Sequence, residues 1–215
     1  MGFIKRILSK WFSCDDNEPD ITEKTYGNMV KFRIGSTVSI SDAFSIMQDD
    51  SLLFKKLYKD HDFSAMIVTT ILSFKFDGAT VYRLYCENPQ TMLQIHEGID
   101  GPSYMLFLLS EEVVMQTEEV YDIYMAAMAN SSVDTILDDK TYTFVQVFCP
   151  VEYTEVVEAD NTPINREPTL QKTMSLFDRT TDDGVEYTLF DAELDENIVE
   201  VFVGLNVPSQ EVKIY

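Results

Sequence analysis

Histidine and tryptophan are the scarcest side chains in this sequence, with two and one copies respectively in 215 residues. Neither His61 nor His96 has a second histidine at metal-ligand spacing, and a histidine-based catalytic triad has almost nothing to draw on. Cys14, Cys86 and Cys149 are odd in number and widely spaced, with no Cys-x-x-Cys pair. That pattern fits free thiols in a reducing cytoplasm rather than a secreted disulfide scaffold. No apolar run approaches the roughly 18 to 20 residues that span a bilayer. Lys10 interrupts what would be the apolar core of a secretory signal, so the expected compartment is the cytoplasm. Gly-x-Gly-x-x-Gly, the Walker loop, Gly-x-Ser-x-Gly and His-Glu-x-x-His are all missing. No catalytic residue, metal or cofactor is therefore expected.

Positive charge is also in deficit, with 16 basic residues against 37 acidic ones and a net charge of -21. Lys5, Arg6 and Lys10 fall in residues 1–12 beside no acid, which leaves 13 basic against 37 acidic groups elsewhere, a net of -24. A body of that charge repels phosphate backbones, which excludes nucleic acid as an expected partner. Glycine (8) and proline (7) are few, whereas Phe (14) and Tyr (11) are plentiful. This composition predicts a packed, strand-rich protein rather than a disordered one.

The central feature is Ile71–Tyr85, two extended runs separated by Asp77-Gly78. Asp-Gly between alternating apolar residues predicts a hairpin, because a type I′ turn needs positive φ at both central positions. A two-residue turn places Leu72, Phe74, Phe76, Ala79, Val81, Arg83 and Tyr85 on one face. Met92–His96 predicts a third strand, with Met92, Gln94 and His96 on one side and Leu93 and Ile95 on the other. After a loop at Gly98–Pro102, the apolar run Tyr104–Leu109 predicts a strand covered on both faces. Thr117–Ala129 changes to helical period, with Val120, Tyr121, Tyr124, Met125 and Met128 on one stripe. Short helical segments are expected from Ser41 or Asp42 to Gln48 and over Ser51–Tyr58.

Tyr142–Cys149 predicts a strand that stops at Pro150, followed by an irregular excursion over 151–169. Leu170–Asp178 fits helix or strand equally. Val185–Phe190 and Ile198–Gly204 predict a second hairpin, and the tail from Val207 an edge strand or a frayed end. The fold class that follows is α+β, a mainly antiparallel meander of hairpins with a few helices, occupying residues 30–215. Residues 13–29 form an acidic flexible linker.

Two places carry functional expectations. Residues 1–12 set Phe3, Ile4, Ile7, Leu8, Trp11 and Phe12 at helical spacing, with Lys5, Arg6 and Lys10 on the remaining surface. Such a basic amphipathic helix, with Phe3, Ile4, Lys5, Arg6, Ile7, Lys10 and Trp11 as contact residues, suits an anionic membrane surface or a membrane-associated protein. It equally suits docking on the acidic body. Arg83, alone on an apolar hairpin face, needs either a carboxylate partner within the sheet or a ligand in a pocket shared with Gln94 and His96. Asp60-His61-Asp62 reads as a polar loop. Asp191-x-Glu193-x-Asp195 has calcium-loop spacing without the glycine and distal glutamate such a loop needs.

Arg33–Val38, Val81–Tyr85, Thr91–His96, Tyr142–Phe148, Pro150–Glu155, Glu186–Phe190 and Val199–Gly204 occur in an order that resembles the YjfK-like family, bacterial proteins of unknown function. Val145 and Gln146 depart from it, standing where an Arg and a Trp are expected. The resemblance spans about residues 30–206 and implies no enzymatic activity. Genes of that kind neighbour those of phage-shock-protein-A-like membrane proteins, small integral membrane proteins and a glutathionylspermidine-synthase-like ligase. The implied role is an accessory or adaptor protein at the inner face of a bacterial membrane, in an envelope-stress assembly with a phage-shock-protein-A-like partner. A small-ligand binder or enzyme using a sheet pocket near Arg83 and His96 is the alternative.

Overall fold

A computed structural model describes residues 32–41, 52–59, 61–76, 79–87, 90–129, 132–134, 141–159, 162–181, 184–193 and 196–215, with the backbone alone for 58, 76, 132–134, 141–159, 162–171, 181 and 184. The expected N-terminal helix over 1–12, including Phe3, Ile4, Lys5, Arg6, Ile7, Lys10 and Trp11, lies outside the described residues. So do the linker over 13–29 and the segment 42–48.

The protein is mainly antiparallel sheet with two α-helices among the described residues. Chain order is β1 (Thr37–Ile40), α1 (Leu53–Tyr58), β2 (Met66–Phe76), β3 (Ala79–Glu87), β4 (Thr91–Gly98), β5 (Gly101–Val114) and α2 (Glu118–Ala129). There follow β6 (Ser132–Asp134), β7 (Thr141–Ala159), β8 (Thr162–Thr181), β9 (Gly184–Glu193), β10 (Ile198–Val207) and β11 (Val212–Ile214). Across the sheet the order is β11-β1-β2-β3-β4-β5-β10-β9-β8-β7-β6. The run β2 to β5 is the expected meander. The order then jumps to β10 and returns through β9, β8 and β7, so the sheet is two meanders joined by the β5–β10 pair.

The sheet is also rolled. Leu72 and Ser73 of β2 pair with Glu155 and Thr154 of β7. That contact turns the eight strands β2-β3-β4-β5-β10-β9-β8-β7 back on themselves, while β1, β11 and β6 hang from the ring as edges. Strand twist accumulating in one hand supplies the curvature. A ring of eight strands encloses a lumen that side chains nearly fill, with room left for at most one small ligand.

Side-chain alternation sorts residues between the lumen and the outer face. Leu72, Phe74, Val81, Met92, Phe107, Met174, Leu176, Leu189 and Phe202 come from seven strands and pack together inside. Leu106 and Leu108, on either side of Phe107, point out and join a cluster under β1 and α1 with Val38, Phe54, Ile71, Leu84 and Leu205. The continuously apolar Tyr104–Leu109 run is thereby explained. On the remaining outer face α2 lays Val120, Tyr121, Tyr124 and Met125 against Phe177, Phe190 and Val199. Thr117 starts that helix by accepting the Val120 amide on its hydroxyl, 3.3 Å away.

Local chemistry explains most joints. Phe76 pairs with Ala79, so only Asp77 and Gly78 separate β2 from β3. Gly98 pairs with Gly101 at φ 104°, and the expected loop at 98–102 is a two-residue hairpin connection instead. Pro150 does not end its strand. The β7–β8 register shifts between Phe148 and Val151, and that irregularity spares the ladder the N–H that proline lacks. Likewise 151–169 is not an irregular excursion. β7 runs to Ala159 and β8 starts at Thr162, with Pro163 opposite Glu158. Leu170–Asp178 is strand. Ser41 places its hydroxyl on the Glu211 carboxylate at 2.9 Å, tying β1 to the 3₁₀ turn Ser209–Glu211 before edge strand β11.

Candidate functional site

The lumen of an antiparallel barrel should be apolar, yet four strands together send five charged side chains into it at the period of the apolar residues. On β3 Arg83 alternates with Val81 and Tyr85. On β8 Lys172 alternates with Met174 and Leu176. On β9 Asp191 and Glu193 alternate with Leu189, and on β10 Glu200 alternates with Phe202. These groups meet. Arg83 Nη1 donates to Asp191 Oδ2 at 2.7 Å, and neither side chain has any solvent exposure. Arg83 Nε donates to Gln94 Oε1 at 3.0 Å, and the guanidinium lies 5.4 Å from the centre of the Phe74 ring.

Lys172 Nζ sits among three carboxylates, 3.4 Å from Glu200, 3.6 Å from Glu193 and 3.8 Å from Asp191. Burial works against its charge, but Asp191, Tyr85, Glu200 and Glu193 outweigh that and hold its pKa above the ordinary value. The cluster is anionic, because Asp191, Glu193 and Glu200 face only Arg83 and Lys172 among the described residues. Burial accordingly pushes the Glu200 carboxyl up, against the opposing pull of Lys172.

Beside this network the barrel end opens into a cavity of about 480 Å³, bounded by Thr69, Tyr85, Cys86, Glu87, Gln90, Thr91, Glu200 and Phe202. The bulge that shifts the β2–β3 register between Val68 and Thr70 lies at its edge, where Thr69 donates to the Tyr85 carbonyl at 3.2 Å. The Tyr85 hydroxyl is itself buried, with essentially no accessible surface, and has no hydrogen-bond partner among the described residues. Burial, and then the Asp191 charge, push it up to about 12, so it stays a neutral donor and acceptor. Burial pushes the Cys86 thiol up to about 11, which suppresses the thiolate and any nucleophilic role.

Arg83 and Gln94 are brought together as expected, but Asp191 and not an open pocket receives the guanidinium. His96 lies on the same side of β4 as Gln94 but pairs with Val81, away from the cavity end, and its Nε2 is buried without a hydrogen bond among the described residues. Neither Arg83, Gln94 nor His96 is among the residues that bound the cavity. Asp191, placed above in a calcium-like spacing, spends Oδ2 on Arg83 and Lys172. Among the described residues no three His, Cys, Asp or Glu side chains converge as a metal-ligand set. His61 and Asp62 are exposed, and the Asp62 carboxylate accepts the Ser64 amide at 2.8 Å.

Lys172 and Glu200 carry no site role by sequence pattern alone, and Tyr85 falls on the inner face without one. The signal that marks Arg83, one polar member on an otherwise apolar strand face, is weaker at Lys172, which shares its face with Asp178, and at Glu200, where Val199, Val201, Val203 and Leu205 make the opposite face the more apolar one. At Lys172 the undecided 170–178 segment obscures it.

These features define a mainly β protein whose rolled antiparallel sheet encloses a charged network next to a cavity. The chain belongs to the DUF2491 family, proteins of unknown function, whose family model matches residues 7–213. No curated protein and no solved structure matches it. Among the described residues no helix is long and apolar enough to cross a membrane.

Proposed function

We propose that the protein is a non-enzymatic binding protein that receives a small molecule at the open end of its rolled sheet. The observation that carries this reading is the cavity of about 480 Å³ bounded by Thr69, Tyr85, Thr91, Glu200 and Phe202. Its volume falls within the range of about 300 to 1,000 Å³ usual for small-molecule sites, and barrel mouths are a recurrent place for them. The raised Cys86 thiol pKa, and the engagement of Asp191 by Arg83, favour binding over covalent chemistry. The test is mass spectrometry of small molecules extracted from protein purified under non-denaturing conditions from its native host, beside a Phe202→Trp variant that fills the cavity. A compound enriched with the wild type and missing from the variant is expected; equal profiles would sink the reading.

A second reading, an accessory or adaptor protein at the cytoplasmic face of a bacterial membrane, is favoured by the basic amphipathic residues 1–12 on a body of net charge -24. The YjfK-like resemblance supports it, with a phage-shock-protein-A-like membrane protein as the candidate partner. Cosedimentation with anionic liposomes, with and without residues 1–12, checks it. Full-length protein that ignores such liposomes and pulls down no membrane-associated protein would remove this reading and leave the first intact.

A further inference from the structure

One face of the sheet edge carries apolar side chains that the core does not use. Tyr215 and Thr37 exchange backbone hydrogen bonds at 2.9 and 3.2 Å, Thr37 pairs with Ile67, and Ile67 pairs with Glu87. Paired residues point the same way, so these four form one row across β11, β1, β2 and β3, on the side away from the buried Val38, Met66 and Cys86. Tyr215 is 73% exposed and Ile67 42%, and Glu87 at the end of the row is exposed too. Ile34 is exposed beside the row, in the turn Arg33–Ser36 that the Gly35 amide ties to the Val68 carbonyl at 2.7 Å. Glu87 also bounds the cavity, so this shelf leads to its mouth.

Charge decides what covers it. A second copy would bring another net charge of -21, and an anionic lipid surface more of the same sign, so the acidic body repels both. Residues 1–12 carry Lys5, Arg6 and Lys10 with no acid, beside an apolar stripe at helical spacing. Described residues begin at Phe32, two before Ile34, and residues 13–31 can reach up to about 60 Å. Such a tether holds residues 1–12 near the shelf at an effective concentration on the order of millimolar. Four strands spaced about 4.8 Å apart make the row about 14 Å wide. Twelve residues as an α-helix are about 18 Å long, and a helix that short needs a surface to lie on.

We infer that residues 1–12 dock as a helix across this shelf, their apolar stripe on Ile67 and Tyr215 and their basic side chains toward Glu87 at the cavity mouth. Lys213, exposed on the same side of β11 as Tyr215, turns those cations toward the Glu87 end. Docking there requires neither a ligand in the cavity nor a membrane, and it competes with capture of the same residues by lipid.

Trp11 is the only tryptophan of the chain, so intrinsic fluorescence reads this segment alone. The full chain at low salt, without lipid, is expected to emit to the blue of a synthetic peptide of residues 1–12 and to resist acrylamide quenching. Ile67→Asp/Tyr215→Asp should shift both readings toward the peptide's, and Glu87→Lys and high salt should act in the same direction. Far-UV circular dichroism should match the wild type's throughout; Glu87→Lys, at an exposed position, decides the matter if Ile67→Asp disturbs β2. Peptide-like emission from the wild-type chain overturns the inference. So does a blue shift that neither Ile67→Asp/Tyr215→Asp nor Glu87→Lys alters, because the segment then sits elsewhere. Emission that reddens on dilution, with a dimer in sedimentation, gives the shelf to a second copy and overturns it as well.

Discussion

Arg83 on β3 and Asp191 on β9 are 108 residues apart in sequence and meet at 2.7 Å inside the rolled sheet, both without solvent exposure. Their strands stand on opposite walls of the eight-stranded ring, four positions apart in either direction. The pair therefore bridges the lumen and holds the two meanders in one relative position. A buried pair of this kind contributes little net stability against an apolar replacement, yet breaking it strands a charge.

Arg83→Met should accordingly lower stability by about 3 to 5 kcal/mol, and Asp191→Asn should act in the same direction. The double variant Arg83→Met/Asp191→Leu should recover much of the loss, giving a large coupling energy. Urea denaturation of the four proteins measures it; additive losses would show that the two side chains act independently.

Gly204 faces Phe107 across the β5–β10 pair, and a Cβ there would lie 2.4 Å from the ring and 3.0 Å from the Leu106 carbonyl. Gly204→Ala is therefore expected to destabilise by about 1 to 3 kcal/mol through overpacking. Phe107→Leu in the same chain should relieve part of that strain. Thermal melts would show it as a smaller penalty for Gly204→Ala when Phe107→Leu is already present than in the wild-type chain.

The Glu186 carboxylate, fully buried on the outer face of β9, accepts the Phe54 amide at 2.8 Å and the Arg179 Nε at 2.7 Å. One side chain thus satisfies an orphan donor of the first turn of α1 and pairs a cation of β8. Glu186→Ala should cost about 3 to 5 kcal/mol. Glu186→Gln, which keeps an acceptor, should cost less. Hydrogen exchange should locate the damage at the α1 amides; uniform loss of protection would contradict an anchor for that helix.

Glu200 gives a pH signature. Burial raises its carboxyl pKa in the folded protein, with further upward push from Asp191 and Glu112 and opposing pull from Lys172. Between the ordinary value of 4.5 and the raised folded value, the native state binds more protons than the unfolded one. The contribution of Glu200 to stability therefore falls as pH rises through that window. Removing the titration with Glu200→Gln should make stability climb more steeply, or decline less, with rising pH there. Denaturation midpoints across the acidic range test this, and parallel curves for the two proteins would refute it.

Hairpins were readable because their signals are local. Asp77-Gly78, the alternation on either side of it and the inward set Leu72, Phe74, Val81, Arg83 and Tyr85 need only a pleat and a short turn. The α2 stripe was equally plain. Proline misled: Pro150 read as the end of a strand and 151–169 as an irregular excursion, whereas a register shift lets the long β7–β8 hairpin pass Pro150 and Pro163 keeps its place in the ladder. A bulge depends on the partner strand, which a single segment does not reveal.

Arg83 shows the division most directly. The chain by itself determined that this guanidinium lies on an apolar strand face and needs a counter-charge, because side-chain alternation and the cost of burying a cation are local matters. Only the tertiary structure decided that Asp191 supplies it, and that Lys172, Glu193, Glu200 and Tyr85 gather beside a cavity. Which inward residues face one another depends on the jump from β5 to β10 and on the short β2–β7 contact that rolls the sheet. Both are pairings between distant segments, set by how the curved sheet closes rather than by any run of neighbouring residues.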